Sequence, residues 1–190
     1  MQKLTKEQEI IKLLFKDFLT PYNSRNISKI IGMSHAGAFK ILKKLEKRNI
    51  TEPTRIGKAV IYSLNKKNQV AWREIELALT LEAQNYLRWI EEFRSIEDKV
   101  KFVILFGSII KDEKSAKDID LLVIADECEF NEIKKIIKEK NNILTKEIHL
   151  LLQTYEDFKR DIASRNKIIL EIIKTGIILF GQDEIREVLI

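Results

Sequence analysis

The chain has 190 residues, of which 45% are hydrophobic, and it holds only six glycines and two prolines. This composition excludes a disordered or collagen-like protein and suits one large domain or two small ones. Because no apolar run is long enough to span a bilayer, we expect a cytoplasmic protein without membrane contact. The single cysteine, Cys128, excludes an internal disulfide.

The net charge of +5 is unevenly distributed along the chain. Residues 1–65 carry thirteen Lys and Arg against five acidic residues, a balance of +8, whereas the remaining residues have a balance of −3. Such asymmetry indicates that the first third of the chain meets a polyanion and that the rest does not.

Three helices are predicted in residues 5–48. The first begins with a capping box between Thr5 and Gln8. The second closes at a glycine, and Ser34 is a suitable N-cap for the third helix, whose expected buried stripe is Phe39, Leu42 and Leu45. Residues 51–64 then form two β-strand patterns around a turn that contains Gly57.

Three helices followed by a hairpin resemble the winged helix-turn-helix. The resemblance covers residues 5–65 and implies that the third helix lies in the major groove of double-stranded DNA, with the hairpin on the backbone. The residues that it implies are Ser34, His35 and Lys40 in the groove, Lys43, Lys44 and Lys47 on phosphates, and Arg55 and Lys58 on the wing. The alternatives are a solvated lysine face and a protein-docking module.

A connecting helix is predicted over residues 67–97, because apolar residues recur there at spacings of three and four. This stripe either packs on one or both domains or forms the seam of a homodimer. Its members are Trp72, Ile75, Leu79, Ala83, Tyr86, Ile90 and Phe93.

The strongest chemical motif lies in the last third of the chain. The apolar run from Phe102 ends in Gly107 and Ser108, and a second run opens with Asp118 and Asp120. Residues two apart on a strand project from the same face, so the two carboxylates repel each other unless a cation lies between them. Mg²⁺ prefers such oxygen ligands, and a Gly-Ser turn at a helix N-terminus favours phosphate.

This arrangement resembles the nucleotidyltransferase superfamily with the DNA polymerase beta-like fold, and in particular its minimal members, over about residues 98–190. The resemblance implies that Asp118 and Asp120 hold Mg²⁺ or Mn²⁺. It also implies that Gly107 and Ser108 hold the outer phosphates of a nucleoside triphosphate. The late segment ending at Gly181 is similar to the closing strand and turn of the family.

The chain departs from the family pattern on the next strand, where a third carboxylate normally helps to deprotonate the acceptor hydroxyl. Here His149 stands at the usual aspartate position, with Glu147 two residues earlier on the same face. Three alternatives remain: Glu147 is the acid, His149 is a base, or full metal coordination is lost. Histidine is a poor Mg²⁺ ligand.

The sequence therefore predicts an α+β protein of two domains. Residues 1–66 form the winged helix-turn-helix, 67–97 the connecting helix, and 98–190 a nucleotidyltransferase-like mixed sheet with helices. We expect a DNA-binding, transcription-regulatory homodimer that binds Mg²⁺ and a nucleoside triphosphate. The alternative is an active transferase that moves a nucleotidyl group to a protein or nucleic-acid hydroxyl.

Overall fold

The computed structural model describes residues 3–188 of the chain, with side chains up to residue 186. The chain divides into two compact units, Met1–Leu81 and Glu82–Ile190. Each unit is described by itself below.

The first unit contains three helices and a three-stranded antiparallel sheet in the order β1-β3-β2. This is the winged helix-turn-helix arrangement that the sequence predicted. The elements are α1 (Lys6–Lys16), β1 (Tyr22–Asn23), α2 (Ser24–Ile31), α3 (His35–Lys47), β2 (Thr51–Ile56), β3 (Ala59–Leu64) and α4 (Gln69–Ala83), of which the last extends two residues into the second unit.

Local signals in the sequence explain these boundaries. The Thr5 hydroxyl accepts a hydrogen bond from the Gln8 backbone N–H, and the predicted capping box is present. Ser34 caps α3 by accepting from the Gly37 N–H. Gly57 has φ +59° in the turn between β2 and β3, a left-handed conformation that glycine adopts without strain.

The predicted buried stripe of α3 is wrong at one position. Leu42 and Leu45 are fully buried, but the third member of the stripe is Ala38, and Phe39 is 45% exposed. The buried residues stand four and three apart, which keeps them on one helix face. Phe39 lies about 100° further round the helix and therefore faces outward.

The second unit is a mixed four-stranded sheet in the order β6-β5-β4-β7, with helices, as predicted. Strands β5 and β6 run parallel, and β4 is antiparallel to both β5 and β7. The elements are α5 (Leu87–Phe93), β4 (Phe102–Phe106), β5 (Asp118–Ile124), α6 (Phe130–Asn141), β6 (Glu147–Gln153), α7 (Tyr155–Ala163), α8 (Lys167–Thr175) and β7 (Ile177–Phe180).

The sequence pattern predicts short helices over residues 108–113 and 183–190 of this unit. The first is only a 3₁₀ turn of Ser108–Ile110. The second is a 3₁₀ helix of Glu184–Val188, and residues 189–190 lie outside the described part of the chain.

The prediction of one continuous connecting helix is wrong. Helix α4 ends at Ala83, a 3₁₀ turn occupies Gln84–Tyr86, and α5 follows. Tyr86 leaves the helical region at φ −121° and ψ 33°. Its hydroxyl donates a hydrogen bond of 3.4 Å to the Ile110 carbonyl. The chain changes direction there because several of the side chains that follow, beginning with Trp89, are buried in the core of the second unit.

The apolar stripe of the connecting segment is not an open seam. Its side chains are buried within the single chain, except Tyr86, which is half-buried. A homodimer would therefore have to use another surface.

None of the helices within residues 3–188 combines the length and the hydropathy that crossing a membrane requires.

Tyr22 provides a test of the winged-helix packing. Its buried hydroxyl donates a 2.5 Å hydrogen bond to Asp17 Oδ2. Burial, reinforced by Asp17, raises the pKa of Tyr22 to about 12. The unfolded chain loses this proton near pH 10, so the stabilisation is complete below pH 10 and disappears as pH rises towards 12.

Tyr22→Phe should therefore lower the free energy of unfolding by about 1 kcal/mol at pH 7. It should also flatten the decline of stability between pH 10 and pH 12. Urea unfolding across this range checks both effects, and an unchanged alkaline slope would contradict the assignment.

Candidate functional site

The two aspartates of the motif lie at the beginning of β5. Asp118 and Asp120 are half-buried, whereas Ile119 between them is buried in the core. This alternation is the strand periodicity that the sequence predicted. Asp120 pairs with Phe106, the last residue of β4, so the Gly107-Ser108 turn begins beside it.

His149 joins the two carboxylates from the neighbouring strand. The parallel register sets Asp120 opposite His149. Its Nδ1 lies 3.5 Å from Asp120 Oδ1 and 3.7 Å from Asp118 Oδ2. One ligand atom from each of the three residues lies within 4.8 Å of the others, a spacing that could hold one metal ion.

Glu147 is not part of this three-residue group. It is exposed at the start of β6 and is the register partner of Asp118. Its position leaves it beside the site, and a catalytic role for it stays a prediction.

The pKa of the Asp120 carboxyl is raised above its usual range. Burial is the largest cause, and the charge of Asp118 adds to it, whereas His149 acts in the opposite direction. The ionised pair is thus electrostatically costly in the absence of positive charge, and a cation between the two carboxylates would relieve the repulsion.

Gly107 occupies a position that only glycine fits. Its backbone has φ +81° and ψ −153°, and a Cβ atom there would collide with the Asp120 carboxylate. Ser108 follows as an exposed residue whose carbonyl accepts from the N–H groups of Lys111 and Asp112. The predicted phosphate residues therefore stand directly beside the predicted metal residues.

The predicted DNA-binding residues of the winged-helix unit fall into two groups. Some are engaged within the first unit: Ser34 caps the helix, His35 Nε2 lies 2.9 Å from Ser24 Oγ, Lys43 Nζ is 2.8 Å from Glu46, and Lys44 Nζ is 2.6 Å from Glu7. The others are exposed and form no ion pair with the described residues: Lys40, Lys47, Arg55 and Lys58.

Phe39 is a surface residue that the sequence analysis assigned to the core. It lies next to Lys40 on α3, and Lys43 Nζ is 5.9 Å from its ring centroid. Its exposure could have been predicted from spacing. Ala38, Leu42 and Leu45 stand four and three residues apart, which fits one helix face better than the two three-residue steps from Phe39 to Leu45.

A family model described as polymerase beta, nucleotidyltransferase, matches residues 88–185, which is more than half of the chain. The chain belongs to this nucleotidyltransferase family. The matched segment contains the Gly-Ser turn, both aspartates and His149. We refer to the second unit as the nucleotidyltransferase domain.

Several solved structures of bacterial proteins are similar to this chain. A mutant of ZitR from Lactococcus lactis is 16% identical, with 73% of this chain and 75% of that chain covered and a TM-score of 0.38. AdcR from Streptococcus pyogenes is 20% identical, with 60% and 85% covered and a TM-score of 0.37. Wild-type ZitR in complex with DNA is 24% identical, with 48% and 63% covered and a TM-score of 0.35. No protein of curated function matches significantly.

The nucleotidyltransferase domain fits a Mg²⁺ site only in part. The carboxylate oxygens of Asp118 and Asp120 are the donors that hard cations prefer. The third donor of the group is an imidazole nitrogen, which suits Mg²⁺ poorly.

Gly107→Ala tests the contact between the turn and Asp120. We expect it to lower the free energy of unfolding of the nucleotidyltransferase domain by at least about 2 kcal/mol, because backbone strain adds to the collision. Gly57→Ala is the matched control, since that glycine also has positive φ but no neighbouring atom would meet its Cβ. Urea unfolding of both variants is the measurement, and equal destabilisation of the two would contradict the contact.

Proposed function

We propose that this chain is a DNA-binding regulator whose nucleotidyltransferase domain binds a divalent cation and a nucleoside triphosphate. The observation that carries the proposal is the meeting of Asp118 and Asp120 beside the Gly107-Ser108 turn, in a chain that also has a winged helix. Double-stranded DNA and the nucleotide are its ligands, and the DNA-bound form is a homodimer.

The charge of the winged helix supports the DNA part of the proposal. Lys40 and Lys47 on α3 and Arg55 and Lys58 on the hairpin are exposed cations, available to neutralise phosphates. Lysine on this surface favours contacts to phosphate, which position the protein, over bidentate recognition of guanine. The exposed Phe39 adds an apolar group on the same helix, of the kind that contacts thymine methyl groups.

The carboxylate pair supports the nucleotide part. A bound Mg²⁺ or Mn²⁺ would neutralise charge on the triphosphate and on the two carboxylates together. Gly107 lets the Asp120 carboxylate pack directly against the turn, and the backbone of Gly107 and Ser108 beside it would meet the phosphate oxygens.

The second candidate function is active transfer, and the exposed carboxylate of Glu147 beside the aspartate pair favours it. An acceptor hydroxyl on a protein or nucleic acid would bond to the α-phosphorus, and pyrophosphate would leave. The hydroxyl proton would pass to Glu147 or His149 as the general base. The regulator and the transferase share the same nucleotide site and differ in turnover.

Replacing Lys40 and Lys47 with Gln should weaken binding to double-stranded DNA and reduce its salt dependence. The slope of log K against log salt should fall by about 0.9 for each phosphate that the variant no longer neutralises. Lys3→Gln with Lys67→Gln is the matched control, because both lysines are exposed on the same unit but belong neither to α3 nor to the hairpin. Fluorescence anisotropy at several salt concentrations measures the slope, and equal slopes for the two double variants would exclude this surface.

Asp118→Asn with Asp120→Asn should abolish nucleotide binding that depends on the divalent cation. Wild type and variant are incubated with α-labelled ATP, GTP, CTP or UTP and Mg²⁺ or Mn²⁺, and bound and covalently transferred label are measured separately. Bound label alone, together with DNA affinity that changes with nucleotide, supports the regulator. Transferred label that vanishes in the variant supports the transferase, and wild type without either label would refute both.

A further inference from the structure

The third donor of the carboxylate group is a nitrogen atom. His149 Nδ1 lies within 3.7 Å of a carboxylate oxygen from each aspartate. Among the described residues these two carboxylates are its ionic neighbours, and the side chain of His149 is exposed. Within the described residues, the Nδ1 atom of His149 donates no hydrogen bond to any other carboxylate or to a backbone carbonyl.

The separations are near those between ligands of a single ion. Two ligand atoms that are each about 2.1 Å from a metal stand about 3.0 Å apart at the octahedral angle and about 3.4 Å apart at the tetrahedral angle. The observed separations of 3.5 and 3.7 Å are somewhat longer, and the three ligand atoms all lie within 4.8 Å of one another. The three side chains would therefore move inward to surround a cation.

The donor set determines which cation is preferred. Mg²⁺ requires near-ideal octahedral oxygen coordination and gives up water reluctantly. Imidazole nitrogen instead suits first-row transition metals, whose affinity for a mixed nitrogen and oxygen site exceeds that of Mg²⁺. Two carboxylates and one imidazole therefore discriminate against Mg²⁺.

We propose that Asp118, Asp120 and His149 form a site that selects first-row transition cations over Mg²⁺, with His149 Nδ1 as a direct ligand. Mn²⁺, the weakest binder of that series, is the most demanding probe of this selectivity. The inference rests on the proposed function in taking this site as the one that handles the nucleotide. It assigns His149 to the cation rather than to the acceptor proton, which leaves Glu147 as the base if transfer occurs.

The register between β5 and β6 gives the proposal its geometric basis. Asp120 and His149 are direct partners in a parallel pair, so the imidazole approaches from the adjacent strand rather than from a loop. Gly107 faces Asp120 on its other side, on the turn after β4. The donor set is thus held by two neighbouring strands, with the Gly107 turn packed beside them.

The test uses the full chain, Mn²⁺ and Mg²⁺ alone, and pulsed electron paramagnetic resonance. Mn²⁺ bound to wild type should show ¹⁴N coupling from a directly bound imidazole, and this coupling should vanish in His149→Ala and His149→Asp. His35→Asn is the matched control and should retain it, because His35 belongs to the winged-helix unit. Circular dichroism verifies that each variant is folded.

Calorimetry supplies an independent readout. The ratio of the Mg²⁺ to the Mn²⁺ dissociation constant should fall by at least about tenfold in His149→Asp, because losing even an outer-shell partner of a ligand changes metal affinity by about that much. An unchanged ratio, or bound Mn²⁺ without ¹⁴N coupling in wild type, would overturn the proposal.

The same experiments separate the inference from the proposed function. If ¹⁴N coupling is present but no nucleotide binds with any cation, the metal inference stands and the nucleotide function falls. If nucleotide binds with Mg²⁺ as tightly as with Mn²⁺ and no ¹⁴N coupling appears, the nucleotide function stands and the inference falls.

Discussion

The parallel pairing of β5 with β6 is the constraint on which the candidate site depends. It sets Asp120 opposite His149 and Asp118 opposite Glu147, so the polar side chains of one strand lie beside those of the next. A shift of one residue in this register would turn His149 away from the carboxylates and Ile148 out of the core, where it is buried. The same strand register therefore both buries the apolar residues and brings the site residues together.

The aspartate pair imposes a second condition on its surroundings. Burial and mutual repulsion raise the pKa of Asp120, so the site is costly without a positive partner. Because Gly107 carries no side chain, the Asp120 carboxylate occupies the space that a Cβ atom would take, and His149 beside it is exposed. In the proposed function, a bound cation would supply the positive charge that this pair of carboxylates lacks.

The winged-helix unit differs from the second unit, because half of its candidate DNA-binding residues also support its own fold. Ser34 caps α3, His35 contacts Ser24, and Lys44 pairs with Glu7. Fewer cationic residues are therefore available to a polyanion than the net charge of residues 1–65 indicated. Net charge thus predicted the kind of partner, whereas side-chain pairing selected which cations are available to it.

The sequence by itself determined both folds, the capping of α1 and α3, the hairpin around Gly57, and the same-face placement of Asp118 and Asp120, because each follows from local spacing and conformational preference. Only the tertiary structure decided that Phe39 is exposed, that the connecting segment breaks before Leu87, and that His149 rather than Glu147 joins the aspartates. These outcomes depend on which surfaces pack together and on the register between strands. Both are set by contacts between residues far apart in the chain, which no local pattern encodes.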